Sequence, residues 1–512
     1  MTSLPSMLRE KIGFNPIGWL RARSMMVRRV EEFLPSLDGD GDGPDALVVI
    51  TPWQGTSIPW FTLAVALMMA KSGARIRFVI DDVPFGENLF RHRFIIRAIR
   101  SVMAIVAQRF EVVSLSERQP VGVDDAARAE IERLARLNAT WALRGEMPQQ
   151  GREALVQREI SQTCAAQQYI AALFETVVLP DLLLTPGGVF GHSGMWFYEA
   201  RKRGIRIASF DSGGYETTMI AADGMACQLQ DVPRAFRALT DEWVRNADSR
   251  QQALDRAALE IAKRRQGTDA FASQVMGAGS GGGELAGGIL IALNSSWDAA
   301  ALGLHRAYAS NTEWIVETVR YLLQETDRTV IVRQHPAERL AIAATSEDYA
   351  LMLQDAFGEN DRLVFIAAED PINSYALLEQ VAAVVTHTST IGIEAVAFGK
   401  PVVTGSASYY AHLGFVEQSE TREGYESLLG DAASGKLGVT QAMSDDARLC
   451  FYLTQCCNWV FSAFNPADFA RWIDEPIAHW QGQASVVRMI EALNTGQPVA
   501  LLNHHATTGR TA

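Results

Sequence analysis

No apolar run in this sequence approaches the roughly 18 residues that a membrane-spanning helix needs, so no span is expected. Cysteine is scarce. The five present (Cys164, Cys227, Cys450, Cys456 and Cys457) show no paired spacing, and the adjacent Cys456 and Cys457 suit neither a zinc knuckle nor a common disulfide. A reducing cytoplasm is the simplest compartment. Positive charge is short as well: the net charge of −13 argues against nucleic acid as a partner. Arg9, Glu10 and Lys11 interrupt the N-terminus before any signal-peptide pattern can form. The loop after the first strand lacks the three-glycine dinucleotide fingerprint, and no GK[ST] phosphate loop occurs, so no cofactor is expected. Asp38 to Gly43 imitates the start of a calcium loop, but the twelfth position is Val49 where a bidentate Glu is required.

At 512 residues the chain is too long for one core, so two or three domains are expected. The 48% hydrophobic and 21% charged residues fit a soluble globular enzyme. Residues 7–34 read as a helix carrying six basic and three acidic residues. Packing on the body or on a partner subunit is its simpler use. Peripheral contact with an anionic inner-membrane surface is the other. Residues 1–44 are taken as this extension and its linker.

Ala46–Thr51, the helical pattern Trp60–Lys71 and Arg75–Ile80 make a βαβ unit that opens a doubly wound domain over 45–276. The loop between the first strand and helix holds Gly55 and Thr56. Leu182–Leu184 is followed by a glycine turn and His192, and Ile205–Phe210 by Asp211-Ser212-Gly213-Gly214-Tyr215-Glu216. Strand C-ends are where open α/β sheets hold ligands, so Gly55, Thr56, His192 and Glu216 become acceptor-side candidates. The glycine-rich run 277–288 has no strand leading in, and reads as an interdomain linker.

A second βα series, 289–440, repeats one pattern of an apolar strand followed by a polar turn. The turns are Asn294-Ser295-Ser296, Arg333-Gln334-His335-Pro336, Glu369-Asp370, the hydroxyl cluster after Val381–Val385, and Thr404-Gly405-Ser406. Intervening helices make the sheet parallel, so the turns gather on one edge. The richest stretch runs from Leu378 to Thr404. Thr386, Thr388, Ser389 and Thr390 stand before a helix start, an arrangement that offers hydroxyls and free N–H groups to phosphate. Ordinary capping is the plainer use of any one of these residues. Residues 441–512 read as C-terminal helices and a tail.

Two Rossmann-like halves, a glycine linker, RQHP (Arg333 to Pro336) and VVTHTSTIGIEAVAFGKPVV (Val384 to Val403) resemble the GT-B glycosyltransferases. The closer resemblance is to bacterial capsule polysaccharide biosynthesis proteins and the Kdo and sialic acid transferases with HP and S/T motifs. The second segment is also similar to CDP-glycerol glycerophosphotransferases and nucleotide-sugar epimerases. The family's acidic motif is matched loosely by Asp211 to Gly213, with Ser212 inserted.

The resemblance implies two α/β Rossmann-like domains facing each other across a cleft, with helical extensions. It implies transfer of a sugar from a nucleotide-sugar donor to a glycan or lipid-linked acceptor. Asp211 is expected as the base that takes the acceptor proton, with Glu216 and His192 in reserve. Asn294, Ser295, Arg333, His335, Thr388, Ser389 and Thr390 are expected on the donor, with His335 stabilising the leaving phosphate and Glu394 placed for a ribose. No DxD pattern sits at a strand end, so no metal is expected. Two rivals are a nucleotide-sugar 2-epimerase and a non-catalytic subunit that binds nucleotide sugars or glycans.

Overall fold

The computed structural model describes residues 16–37, 41–53, 57–86, 88–214, 216–268 and 285–508. Gly55, Thr56, residues 7–15, Asp38–Asp40 and most of the run 277–288 lie outside the described residues. The strands are β1 (Asp45–Ile50), β2 (Arg75–Ile80), β3 (Glu111–Ser114), β4 (Leu182–Pro186), β5 (Arg206–Gly214), β6 (Thr217–Ala221), β7 (Ile289–Ala292), β8 (Val330–Arg333), β9 (Leu363–Ile366), β10 (Ala383–Thr386), β11 (Val402–Thr404), β12 (Glu417–Gln418) and β13 (Trp459–Phe461). They form two sheets, ordered β13-β6-β5-β4-β1-β2-β3 and β12-β11-β10-β7-β8-β9. The protein is therefore of α/β class, with two Rossmann-like sheets.

Each sheet belongs to its own compact unit. The first comprises Met1–Asn138, Glu153–Asp231 and Asn458–Ala512; the second comprises Ala139–Arg152 and Val232–Cys457. The chain visits the second unit at Ala139–Arg152 and re-enters it at Val232, and the described flanks of the glycine-rich run both belong to the second unit. The helices Val232–Arg245 and Ala247–Arg265 lie with the second sheet, and the C-terminal segment from Asn458 with the first. An amphipathic pattern shows that a helix has a face to bury, but not which sheet will bury it.

In the first unit β5, β4, β1, β2 and β3 run parallel, and β6 and β13 are antiparallel additions. Ala46 to Ile50 are all buried, as expected of a parallel strand covered on both faces. The helix Ile58–Lys71 is buried along its length from Pro59 to Met69. Its apolar surface runs all round because the sheet takes one side and the C-terminal helices Ile477–Gln481 and Ala484–Thr495 the other. The helix Pro16–Phe33 spends its apolar face on the same core: Trp19, Met26, Val30 and Phe33 are buried. The Arg29 guanidinium is held by the carbonyls of Ile473 and Asp474. Ile17, Leu20, Arg21 and Arg28 stay outside.

In the second unit every strand pair is parallel. The short runs ILIA, VIVR and AVVT of β7, β8 and β10 are fully buried. Among the described residues no helix is long and apolar enough to cross a membrane.

Candidate functional site

The second sheet reverses its order between β7 and β10: β8 and β9 continue on one side, β11 and β12 on the other. Ligands of open α/β sheets bind outside the strand C-ends at such a reversal. Here the turns after β7 and β10 lie side by side, and the Asn294 Oδ1 accepts from the Thr388 N–H at 3.4 Å. The turn after β8 completes a cavity of about 300 Å³. Asn294, Ser295, Arg333, His335, Thr388, Ser389, Thr390 and Glu394 all line it.

The hydroxyl turn is pinned from behind. The buried Tyr410 donates to the Ser389 carbonyl at 2.7 Å and shares a hydrogen bond of 3.1 Å with Thr386 Oγ1. Gly392 lets the helix approach that phenol, since a Cβ there would come within 2.6 Å of the Tyr410 hydroxyl. The hydroxyls of Thr388 and Ser389 make no hydrogen bond with the described residues, so they are available to a ligand. The helix itself, Ile391–Ala397, spans only seven residues, and Thr390 makes no side-chain cap. Gly399, at φ +77°, ends it early. So short a helix adds little dipole, and hydroxyls carry the anion-binding capacity instead.

His387, inside the same cluster, is turned to another task. Its Nε2 lies 3.0 Å from His305 Nδ1, and His305 Nε2 lies 3.1 Å from Glu146 Oε1. Its carbonyl accepts from the Thr404 and Ser406 hydroxyls. Burial, with His305 and Arg306 nearby, holds its pKa well below the ordinary histidine range.

His335 caps the turn Pro336–Arg339, with Nδ1 accepting from the Ala337 N–H at 3.2 Å. That bond fixes the tautomer: Nδ1 is the acceptor and Nε2 carries the proton. Burial, and then the charges of Arg264, Arg333 and Arg339, pushes the His335 pKa down to about 4. At neutral pH His335 is therefore an uncharged donor at the cavity wall.

Two donor-site candidates are engaged within the protein. The Arg333 guanidinium donates to the carbonyls of Ala367, Asp370 and Ile372, the last at 3.1 Å. It ties the loop after β9 and lends the cavity its charge. Glu394 Oε1 accepts from Arg264 Nη1 at 3.0 Å and from the Tyr375 hydroxyl at 3.1 Å. Its first use is to hold those two residues, since one oxygen already takes two donors.

Arg264 and Tyr375 both line the cavity and were not foreseen. Arg264 comes from the last turn of the helix Ala247–Arg265, far from any strand end. Glu338, in the turn after His335, does not line the cavity. It accepts from Gln334 Nε2 at 2.7 Å, and burial pushes its carboxyl up to about 7.

The acceptor-side candidates belong to the first unit. Asp211 does not end a strand: β5 continues through Gly214 and turns back as a hairpin, with Asp211 opposite Met219 on β6. One Asp211 oxygen accepts from the Ser212 N–H at 2.7 Å. Glu216 lies at the hairpin tip with φ 60°, exposed and ion-paired with Arg471. His192 does sit at the sheet's C-terminal edge, just before the helix Ser193–Lys202, and is buried. Among the described residues no group of three or more His, Cys, Asp or Glu is placed to hold a metal ion.

Apart from Arg264, the residues lining the second unit's cavity fall within one recognisable stretch. Residues 287–443 match the capsule polysaccharide biosynthesis protein family. That stretch contains RQHP, the hydroxyl turn and all eight foreseen cavity residues. No curated protein matches the chain. Among solved structures, the chain is similar to the β-Kdo 2,4-transferase KpsC of Thermosulfurimonas dismutans at 13% identity and a TM-score of 0.36, over 58% of this chain and 86% of that one. It is similar to the KpsC β-Kdo 2,7-transferase of the same organism at 14% identity and 0.30, over 51% and 79%. It is also similar to a Neisseria meningitidis UDP-GlcNAc 2-epimerase bound to UDP-GlcNAc, at 11% and 0.26, over 79% and 97%.

Proposed function

We propose that the chain is a glycosyltransferase of surface or capsule polysaccharide synthesis. In this reading the second unit binds the nucleotide of a sugar donor, and the first unit serves a glycan or lipid-linked acceptor. The observation that carries it is the cavity at the β7/β10 reversal. It combines a neutral His335 donor, unengaged Thr388 and Ser389 hydroxyls and the charges of Arg264 and Arg333. Such a set meets a phosphate leaving group, whose negative charge grows as the bond to the sugar breaks. The family match over 287–443 supports the same reading. The acceptor hydroxyl is a weak nucleophile and needs a base from the first unit, where Asp211 and His192 are the candidates.

Thermal shift with CMP-, UDP-, GDP- and CDP-linked sugars tests the donor half. One class should stabilise the chain and be turned over only when an acceptor is added. Turnover of a UDP-sugar alone would favour the epimerase reading, and no response to any member would refute the proposal.

Peripheral contact with an anionic membrane is part of the proposal. With Trp19, Met26, Val30 and Phe33 committed to the core, contact falls to the outward face of Pro16–Phe33, Ile17, Leu20, Arg21 and Arg28. Phosphatidylglycerol vesicles should sediment the protein at low salt and release it at high salt, whereas neutral vesicles should not bind it. Equal sedimentation with both would remove the electrostatic contact.

A further inference from the structure

The geometry points to His192, oriented by Asp81, as the base that takes the acceptor proton; this rests on the transferase reading above. The first sheet reverses its order between β4 and β1, so its ligand edge lies at the C-ends of these strands. Asp81 follows β2 and His192 follows β4, flanking that point from either side. Asp81 is fully buried. One carboxylate oxygen lies 2.9 Å from His192 Nδ1, and the other accepts from Trp196 Nε1 at 3.0 Å. Both oxygens are thus committed to fixing the ring, and Nδ1 carries the proton it donates. Nε2 is left as a lone pair, buried and without a hydrogen-bond partner among the described residues.

His192 is not alone in this. The hydroxyls of Thr51 at the end of β1, Thr185 on β4 and Ser193 beside His192 are also buried and unpartnered among the described residues. Buried polar atoms are normally satisfied, and a group of such atoms at one sheet edge marks a place where a polar ligand completes them. The turn before His192 is built for close approach. Gly187, Gly188 and Gly191 have φ of +69°, +151° and +55°. A Cβ on Gly191 would come within 3.3 Å of the Phe85 ring, and one on Gly187 within 3.9 Å of Trp53. Phe85 meets the His192 ring edge-on at 5.1 Å. Aromatic faces beside unpaired hydroxyls suit a sugar, which offers both C–H and O–H groups. By contrast, Asp211 sits within a paired strand and Glu216 is exposed and ion-paired.

In the step, His192 Nε2 takes the proton of an acceptor hydroxyl as its oxygen bonds to the anomeric carbon of the donor sugar. The bond from that carbon to the phosphate oxygen breaks, and its electron pair leaves with the nucleotide. Asp81 stabilises the imidazolium, which then returns the proton to solvent.

The test uses the full chain. Transfer is read as nucleotide released from the CMP-, UDP-, GDP- or CDP-sugar that the wild type turns over, with capsular oligosaccharides as acceptor. His192→Gln should lower kcat by about 10²–10⁴-fold, while calorimetry with the matching free nucleotide shows unchanged affinity. Asp81→Asn should lower kcat and, read by ¹⁵N-histidine NMR, shift His192 toward the Nε2–H tautomer, because an amide at this position can donate to Nδ1. The other titratable groups at this corner, Asp82, His92 and Arg100, are intact in both variants. A kcat that survives in His192→Gln but is lost in Asp211→Asn would overturn the assignment. If the wild type transfers nothing, the transferase reading fails, and ¹⁵N-histidine NMR still decides the pair. The Nδ1–H tautomer at His192 supports it, and the Nε2–H tautomer overturns it.

Discussion

Arg264→Ala should cost the protein about 3–5 kcal/mol of stability, the usual result of stripping the partner from a buried ion. Arg264 and Glu394 meet at 3.0 Å with side chains 12% and 5% exposed. Without the guanidinium, Glu394 keeps only the Tyr375 hydroxyl among the donors described above. Urea unfolding measures the loss. Replacing both residues by Met should recover most of it, because the charges then leave the interior together and the volume is kept. A single-variant loss below about 1 kcal/mol, the value of an exposed pair, would show that the contact is not an interior one.

Donor binding should respond as strongly at two residues of the cavity wall. His335→Ala removes the Nε2–H donor, and Ser389→Ala removes a hydroxyl with no bond to the described residues. Hydrogen bonds to a charged ligand are worth about 1.5–3 kcal/mol, so each variant should bind the nucleotide about tenfold to a hundredfold more weakly. The melting temperature of Ser389→Ala should stay near wild type. Unchanged affinity in both variants would remove the phosphate role from this cavity.

Much of the second unit was legible because its chemistry is local. The strand runs are apolar, their ends are polar, and parallel pairing obliges the ends to share an edge. Asn294, Arg333, His335 and Ser389 could therefore be placed together without knowing a single contact. What the residues do there was less legible. Arg333 and Glu394 look free in sequence, yet one is tied to three carbonyls and the other to Arg264, 130 residues earlier. Arg264 itself has no strand-end position to betray it.

In the first unit the glycines after Asp211 read as a turn, but they lie within a strand. Gly213 is needed there because a Cβ would come within 2.8 Å of the Trp459 ring, contributed by a strand nearly 250 residues later. Asp81 stood visibly at a strand end, but its partner His192 is 111 residues on. Pairings of that span are decided by tertiary packing and leave no mark in local spacing.

The path of the chain has a consequence for dissecting the protein. It enters the second unit for Ala139–Arg152, leaves, re-enters at Val232 and returns to the first unit at Asn458. Neither unit is a contiguous stretch of the gene. A cut in the glycine-rich run, the natural place to divide two modules, would separate Arg264 from Glu394 and β13 from β6. Neither product would carry a whole sheet with its covering helices. The two units are interleaved along the chain, so a loop swap or permuted terminus stands a better chance than a domain swap.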